Sequence, residues 1–193
     1  MAVRPEKAER RRVTGRRAIV GVAATVALGC GTAAAWPSGQ GATHATATIV
    51  DGTGQEVGTA QFTEDGQGRV HVNVHVKGLS PGLHGIHIHQ VASCVGPAFA
   101  SAGAHHNPTG ASHGSESELP NHPHAGDLPN LVVNANGVGH LNAKTTHATL
   151  SDGPISVFDA NGSALIIHAA PDDLHTDPTG NSGARIACGV IEG

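Results

Sequence analysis

Histidine is the residue type through which this chain can do chemistry: 15 of its 193 residues are histidine, against 11 lysines and arginines together. A neutral imidazole is the commonest protein ligand for transition metals, so a metal is the first explanation to test. In Gly82-Leu83-His84-Gly85-Ile86-His87-Ile88-His89, two histidines stand two apart in a run with strand character. Residues two apart in a strand project from one face, so His87 and His89 can hold one ion together. That pair alone is a weak signal, since an exposed strand can show it by chance. Further on come Ser101-Ala102-Gly103-Ala104-His105, His113, His124-Ala125-Gly126-Asp127 and Ile166-Ile167-His168. His84, three before His87, falls on the opposite strand face and reads as a buried hydrogen-bonding histidine. His71 and His75 read as solvent-facing strand residues, and no spacing implicates His44, His140, His147 or His175.

The elements that must position these residues are strands. Hydrophobic residues are 38% and charged residues 13%, with 27 glycines and 11 prolines, which excludes a long helical bundle and points to a turn-rich, all-β protein. Val70-His71-Val72-Asn73-Val74-His75-Val76 alternates most clearly, with its four valines facing in. Other strands are expected at 47–50, 58–62, 130–133, 147–150, 156–159, 164–168 and 186–190, most bounded by Asp-Gly, Asn-Gly or similar turns. About eight short strands imply a Greek-key sandwich or flattened barrel. Two stretches, 90–129 and 169–184, break the pattern, and long polar loops next to histidine-bearing strand ends are expected to be functional.

Charge divides the chain. Seven of the 11 basic residues lie before residue 18, opposed only by Glu6 and Glu9. The remainder carries four basic and thirteen acidic residues and every histidine, a balance of -9. With no basic patch outside the N-terminus, nucleic acid is excluded as a partner. The basic stretch runs into the apolar Ala18–Gly29, so residues 1–30 read as an export signal. Arg16-Arg17 suits a twin-arginine route, and an ordinary secretory route is the alternative. Cys30 reads as a lipoprotein cleavage and lipidation site; the alternatives are cleavage after Ala35 and an uncleaved membrane anchor. Residues 31–44 read as a flexible tether and 45–193 as the folded domain. The expected location is therefore exported, either lipid-anchored in the cell envelope or extracellular. There Cys94 and Cys188 are free to form a disulfide, which would contribute about 4 to 5 kcal/mol by closing a long loop.

Taken together, Gly-Leu-His-Gly-Ile-His-Ile-His, Ser-Ala-Gly-Ala-His, His-Ala-Gly-Asp and Gly-Asn-Ser-Gly-Ala-Arg-Ile-Ala-Cys-Gly-Val resemble, in family order, the copper-zinc superoxide dismutases over roughly residues 45–193. The resemblance implies copper on His87, His89, His105 and His168, and zinc on His105, His113, His124 and Asp127. Three imidazoles and a carboxylate suit a closed tetrahedral zinc, and four imidazoles leave copper an open axial face. His105 would bridge both ions and carry a proton during turnover. Asp172 would bridge the far ring nitrogens of His87 and His113, and Arg185 would guide superoxide to copper. Cys94 and Cys188 would lock the loop against which Arg185 packs. The implied reaction converts two superoxide ions to dioxygen and hydrogen peroxide. The alternative is a non-catalytic envelope protein that buffers copper or zinc on the same fold. The resemblance leaves both monomer and homodimer open. His106 is expected at the rim of the site, and His122 is passed over in favour of His124. Pro178, where many eukaryotic members of the family have lysine, together with Glu116 and Glu118, is expected to weaken long-range attraction of the anion.

Overall fold

The computed structural model describes residues 43–114 and 123–193. The expected export signal with Cys30, nearly all of the expected tether, and Glu116, Glu118 and His122 lie outside these residues. Among the described residues there are nine strands: β1 (His44–Asp51), β2 (Glu56–Glu64), β3 (Val70–Lys77), β4 (Gly82–His84), β5 (Ile86–His89), β6 (Leu131–Val133), β7 (Val138–Thr145), β8 (Ala164–His168) and β9 (Arg185–Val190). They form one sheet in the order β4-β6-β7-β3-β2-β1-β9-β8-β5, with every strand pair antiparallel. β4 and β5 stand at opposite ends of that order yet are separated by Gly85 alone, so the sheet curls into a nearly closed, barrel-like Greek key.

The all-β expectation holds, with nine strands in place of eight, and the differences have local causes. The run 82–89 is two strands, because Gly85 turns the corner: its N–H bonds Ala170 O at 2.9 Å and its carbonyl accepts His168 N–H at 2.8 Å. A side chain at Gly85 would collide with Ser182 Oγ. β7 lacks an apolar signal because its inward positions are Gly139, Leu141, Ala143 and Thr145. Gly139 is close-packed, with Val133 and Val76 methyls 2.9 Å from where a Cβ would stand. The segments expected as strands at 147–150 and 156–159 make only an isolated bridge, Thr149 with Ser156. Their apolar residues still fill the core, and the Glu64 carboxylate accepts the N–H groups of Leu150 and Ser151, each at 2.6 Å, in place of a strand ladder.

The core lies inside the barrel. Val70, Val72, Val74 and Val76 face inward beside Phe62, Ile49, Leu131 and Leu165. Each such side chain withdrawn from water stabilises the fold by about 1.5–3 kcal/mol before entropy is counted. Ile86 and Ile88 of β5 point into the same core, which sends His87 and His89 to the outer face.

Candidate metal centre

The outer face of β5 is covered. All four of its residues are buried, Ile86 and Ile88 in the core and His87 and His89 because segments of the β5–β6 loop lie along that face. His106 N–H bonds Ile88 O at 2.8 Å, Ile88 N–H bonds Gly126 O at 2.8 Å, and isolated bridges join His89 to His105 and His87 to Asp127. His168 ends β8 at a register shift that sets it opposite Arg185, the first residue of β9. Four imidazoles from two strands and one loop therefore converge, with one donor atom of each of His87, His89, His105 and His168 within 4.8 Å of the others.

Their hydrogen bonds show which nitrogens face inward. His87 Nε2 donates to Asp172 Oδ2 at 2.7 Å, His89 Nδ1 to Gly103 O at 2.9 Å, and His168 Nδ1 to Gly183 O at 3.1 Å. The remaining nitrogens, His87 Nδ1, His89 Nε2, His168 Nε2 and His105 Nε2, are buried without a hydrogen-bond partner. Buried polar atoms ordinarily find partners. Four orphaned lone pairs around one point are what a metal ion satisfies, so the donor set fits one. Burial pushes His89 down to about 2 and His105 and His168 down to about 4, which keeps the rings neutral and ready to ligate.

A second group shares His105. Donor atoms of His105, His113, His124 and Asp127 also lie within 4.8 Å of one another. Asp127 Oδ1 is 2.9 Å from His105 Nδ1, 3.0 Å from His113 Nδ1 and 3.4 Å from His124 Nδ1, so one carboxylate oxygen is surrounded by three imidazoles. The His113 contact is close in distance but not aligned as a hydrogen bond. Although burial opposes it, the hydrogen bond from His105 and the close approach of the His113 and His124 rings hold the Asp127 carboxyl far below the usual range. His105 thus turns Nδ1 toward this group and Nε2 toward the other.

Carboxylates tie the groups to the loop between β8 and β9. Asp172 Oδ1 lies 3.0 Å from His113 Nε2 while its Oδ2 holds His87. Both partners hold the Asp172 carboxyl low despite its burial, and, although burial opposes it, Asp127 and Asp172 together raise His113 to about 10. Gly180, at φ +59°, gives way to this pair: a side chain there would overlap Asp172 and His113. Asn130 clamps the Asp172 backbone from both sides, accepting its N–H at 2.8 Å and donating to its carbonyl at 2.9 Å. Asp177 accepts the His113 backbone N–H at 2.7 Å and stands 3.6 Å from His124 Nε2, a charge contact outside hydrogen-bond range. Asn130 and Asp177 escaped the sequence reading because neither occupies a ligand spacing. Only folding sets them beside the histidines.

The half-buried Arg185 donates to Phe99 O at 2.7 Å and Gly103 O at 2.6 Å. Gly103 O therefore serves both Arg185 and His89. Arg185 lines a cleft with His89, His105, His168, Pro178 and Asn181. Cys94 and Cys188 form a disulfide with Cα atoms 5.6 Å apart, anchoring the β5–β6 loop to β9 three residues from Arg185. His84 is buried as expected, its ring between His168 O at 2.7 Å and Ser80 O at 2.8 Å. His106 differs from expectation: it is buried rather than at the rim, and burial pushes its basicity down.

A family described as copper/zinc superoxide dismutase matches residues 56–191. The chain belongs to that family. Among its relatives, a copper-zinc superoxide dismutase of Aquifex aeolicus is 40% identical over 147 residues, covering 75% of this chain and 84% of that protein. The superoxide dismutase-like protein YojM of Bacillus subtilis is also 40% identical over 147 residues, covering 75% of this chain and 74% of that one. The solved structure of a superoxide dismutase-like protein from Bacillus subtilis superposes with a TM-score of 0.70 at 38% identity, covering 77% of this chain and 97% of that one. Copper and zinc are the metals of the family, and the histidine groups are able to bind them.

Proposed function

We propose that the chain is a catalytically active copper-zinc superoxide dismutase, converting superoxide to dioxygen and hydrogen peroxide. The observation that carries the reading is the ring of four orphaned imidazole nitrogens opening on a cleft beside Arg185. In this reading His87, His89, His105 and His168 hold copper, and His105, His113, His124 and Asp127 hold zinc. Copper, when bound, supplies the alternating one-electron chemistry that the two halves of the reaction need.

The chain's own groups do the rest. Arg185, held by two backbone carbonyls, presents a fixed guanidinium to an anion in the cleft. His105 Nε2 faces that cleft and is the atom suited to carry a proton there, while Asp127 keeps the opposite nitrogen on the zinc side. Asp172 fixes the tautomers of His87 and His113, so that each turns Nδ1 to its metal. The mature portion is negative, so Arg185 and the metals are the local positive focus for an anionic substrate. An exported location accords with the basic, apolar N-terminus and with a disulfide, which an oxidising compartment maintains.

The deciding experiment loads the purified protein with both metals, measures stoichiometry and assays superoxide loss. Activity is expected with one copper and one zinc per chain. The same stoichiometry without activity would favour the buffering alternative, which the dismutase-like name of the Bacillus relative keeps in view. Arg185→Ala is expected to slow dismutation about tenfold or more while both metals stay bound. Equal rates for the two proteins at low salt would remove Arg185 from the mechanism.

A further inference from the structure

Four histidines outside the buried groups share the exposed outer face of the sheet: His44, His71, His75 and His140. Two of them are engaged. His71 Nε2 lies 3.1 Å from Asp65, and His44 Nδ1 lies 3.4 Å from Thr63 Oγ1. His75 and His140 instead face each other. They stand directly opposite in the β3–β7 register, with ring centroids 4.4 Å apart and planes inclined at 44°. Among the described residues neither ring has a hydrogen-bond or ion-pair partner.

The buried centre provides an internal scale for this spacing. Pairs of imidazoles within the four-histidine group have centroids 4.1 to 6.4 Å apart, and pairs within the group around Asp127 lie at 5.3 to 5.5 Å. The His75–His140 pair falls inside the range that ring pairs around a common point already adopt in this molecule. Its surroundings also select a ligand class. Thr59 and Val132 extend the row on either side, and Asn73, Lys77, Val138 and Asn142 stand next along the two strands. No carboxylate is among them. Hard cations such as magnesium and calcium, which need oxygen donors, have no purchase there, whereas two imidazoles suit borderline divalent metals, Cu(II) most strongly.

We propose that His75 and His140 form an open, two-imidazole surface site for a divalent transition-metal ion, Cu(II) in preference to Zn(II) or Ni(II). Water completes the coordination shell, and the nearby Lys77 ammonium keeps the ion weakly held and exchangeable. The site is separate from the buried groups and stands whether or not the chain is a dismutase.

The test titrates Cu(II) into protein whose buried sites already hold copper and zinc, following uptake by equilibrium dialysis and electron paramagnetic resonance. One further Cu(II) per chain is expected, with a spectrum showing coupling to two imidazole nitrogens. His75→Asn and His140→Asn should each abolish that uptake, while His71→Asn retains it; circular dichroism checks that all three variants fold. Absence of a further ion, its persistence in both pair variants, or its loss in His71→Asn would each overturn the assignment.

Discussion

β3 and β5 are written in the same alternating pattern and meet opposite fates. In β3 the valines are buried, and His71, Asn73 and His75 between them face solvent. In β5 the isoleucines are buried, and so are His87 and His89 between them. The pleat sends the second set of side chains outward in both strands. What differs is the cover: among the described residues nothing covers the outer face of β3, whereas β5 lies under the β5–β6 loop and its companion between β8 and β9. One histidine pair remains wet, and the other is desolvated into a metal-ligand set. The barrel wall is thus held by apolar contact, and the covered face by a polar network that metals complete.

The largest expected effect tests the barrel side of this contrast. Phe62→Ala removes a buried ring from the core and should cost about 3–5 kcal/mol by urea unfolding, equally in metal-loaded and metal-free protein. A cost that depended on metal would show that the two regions are not separable.

Asp172→Asn acts on the other side. Loss of the carboxylate that orients His87 and His113 should weaken metal retention about 10- to 100-fold in chelator competition. Amide exchange should rise in the two loops and stay unchanged in β1–β3.

Acid should separate the regions further in metal-free protein. His89, His105 and His168 have folded basicities below their ordinary value of 6.5, so the unfolded chain binds more protons than the folded one as pH falls from 6.5 to about 4. Stability should therefore decline across that window, with up to three protons taken up on unfolding. His113, raised to about 10, is charged in both states below 6.5, so its stabilisation is complete and constant there and is lost instead as pH rises from 6.5 toward 10. A thermal midpoint constant from pH 6.5 to 4 would contradict the burial of those three rings.

The smallest effect is expected of Asp177→Asn. The amide oxygen can still accept the His113 N–H, so only the charge facing His124 is lost. For a contact this exposed, zinc release should accelerate about two- to fivefold.

Much of the site was legible because its chemistry constrains residue type. His87, His89, His105, His113, His124, Asp127 and His168 stood out through motifs that resemble a metal-binding family, and a His-x-His pair on one strand face survives any loop arrangement. β3 was legible because valine at alternate positions needs no distant partner to read as a strand. β7 was not, since a strand lined by Gly139, Leu141, Ala143 and Thr145 is defined by the close packing of its neighbours. Segments 147–150 and 156–159 misled for the converse reason: their apolar residues are buried, but they meet only at the Thr149–Ser156 bridge, and Glu64 takes the N–H groups of Leu150 and Ser151.

By itself, the sequence determined the His87–His89 pair, the alternation of the barrel wall and the cysteine pair, because each follows from side-chain chemistry or from the period of the chain; the rest of the donor set was legible only as what the family resemblance implies. Tertiary structure alone decided that Gly85 divides one apparent strand between the two ends of the sheet. It also decided that His106 is buried, that Asn130 and Asp177 brace the ligands, and that His75 meets His140. Those outcomes depend on which distant segments come to lie over a given face, and burial, unlike residue type or spacing, is a property of the neighbours.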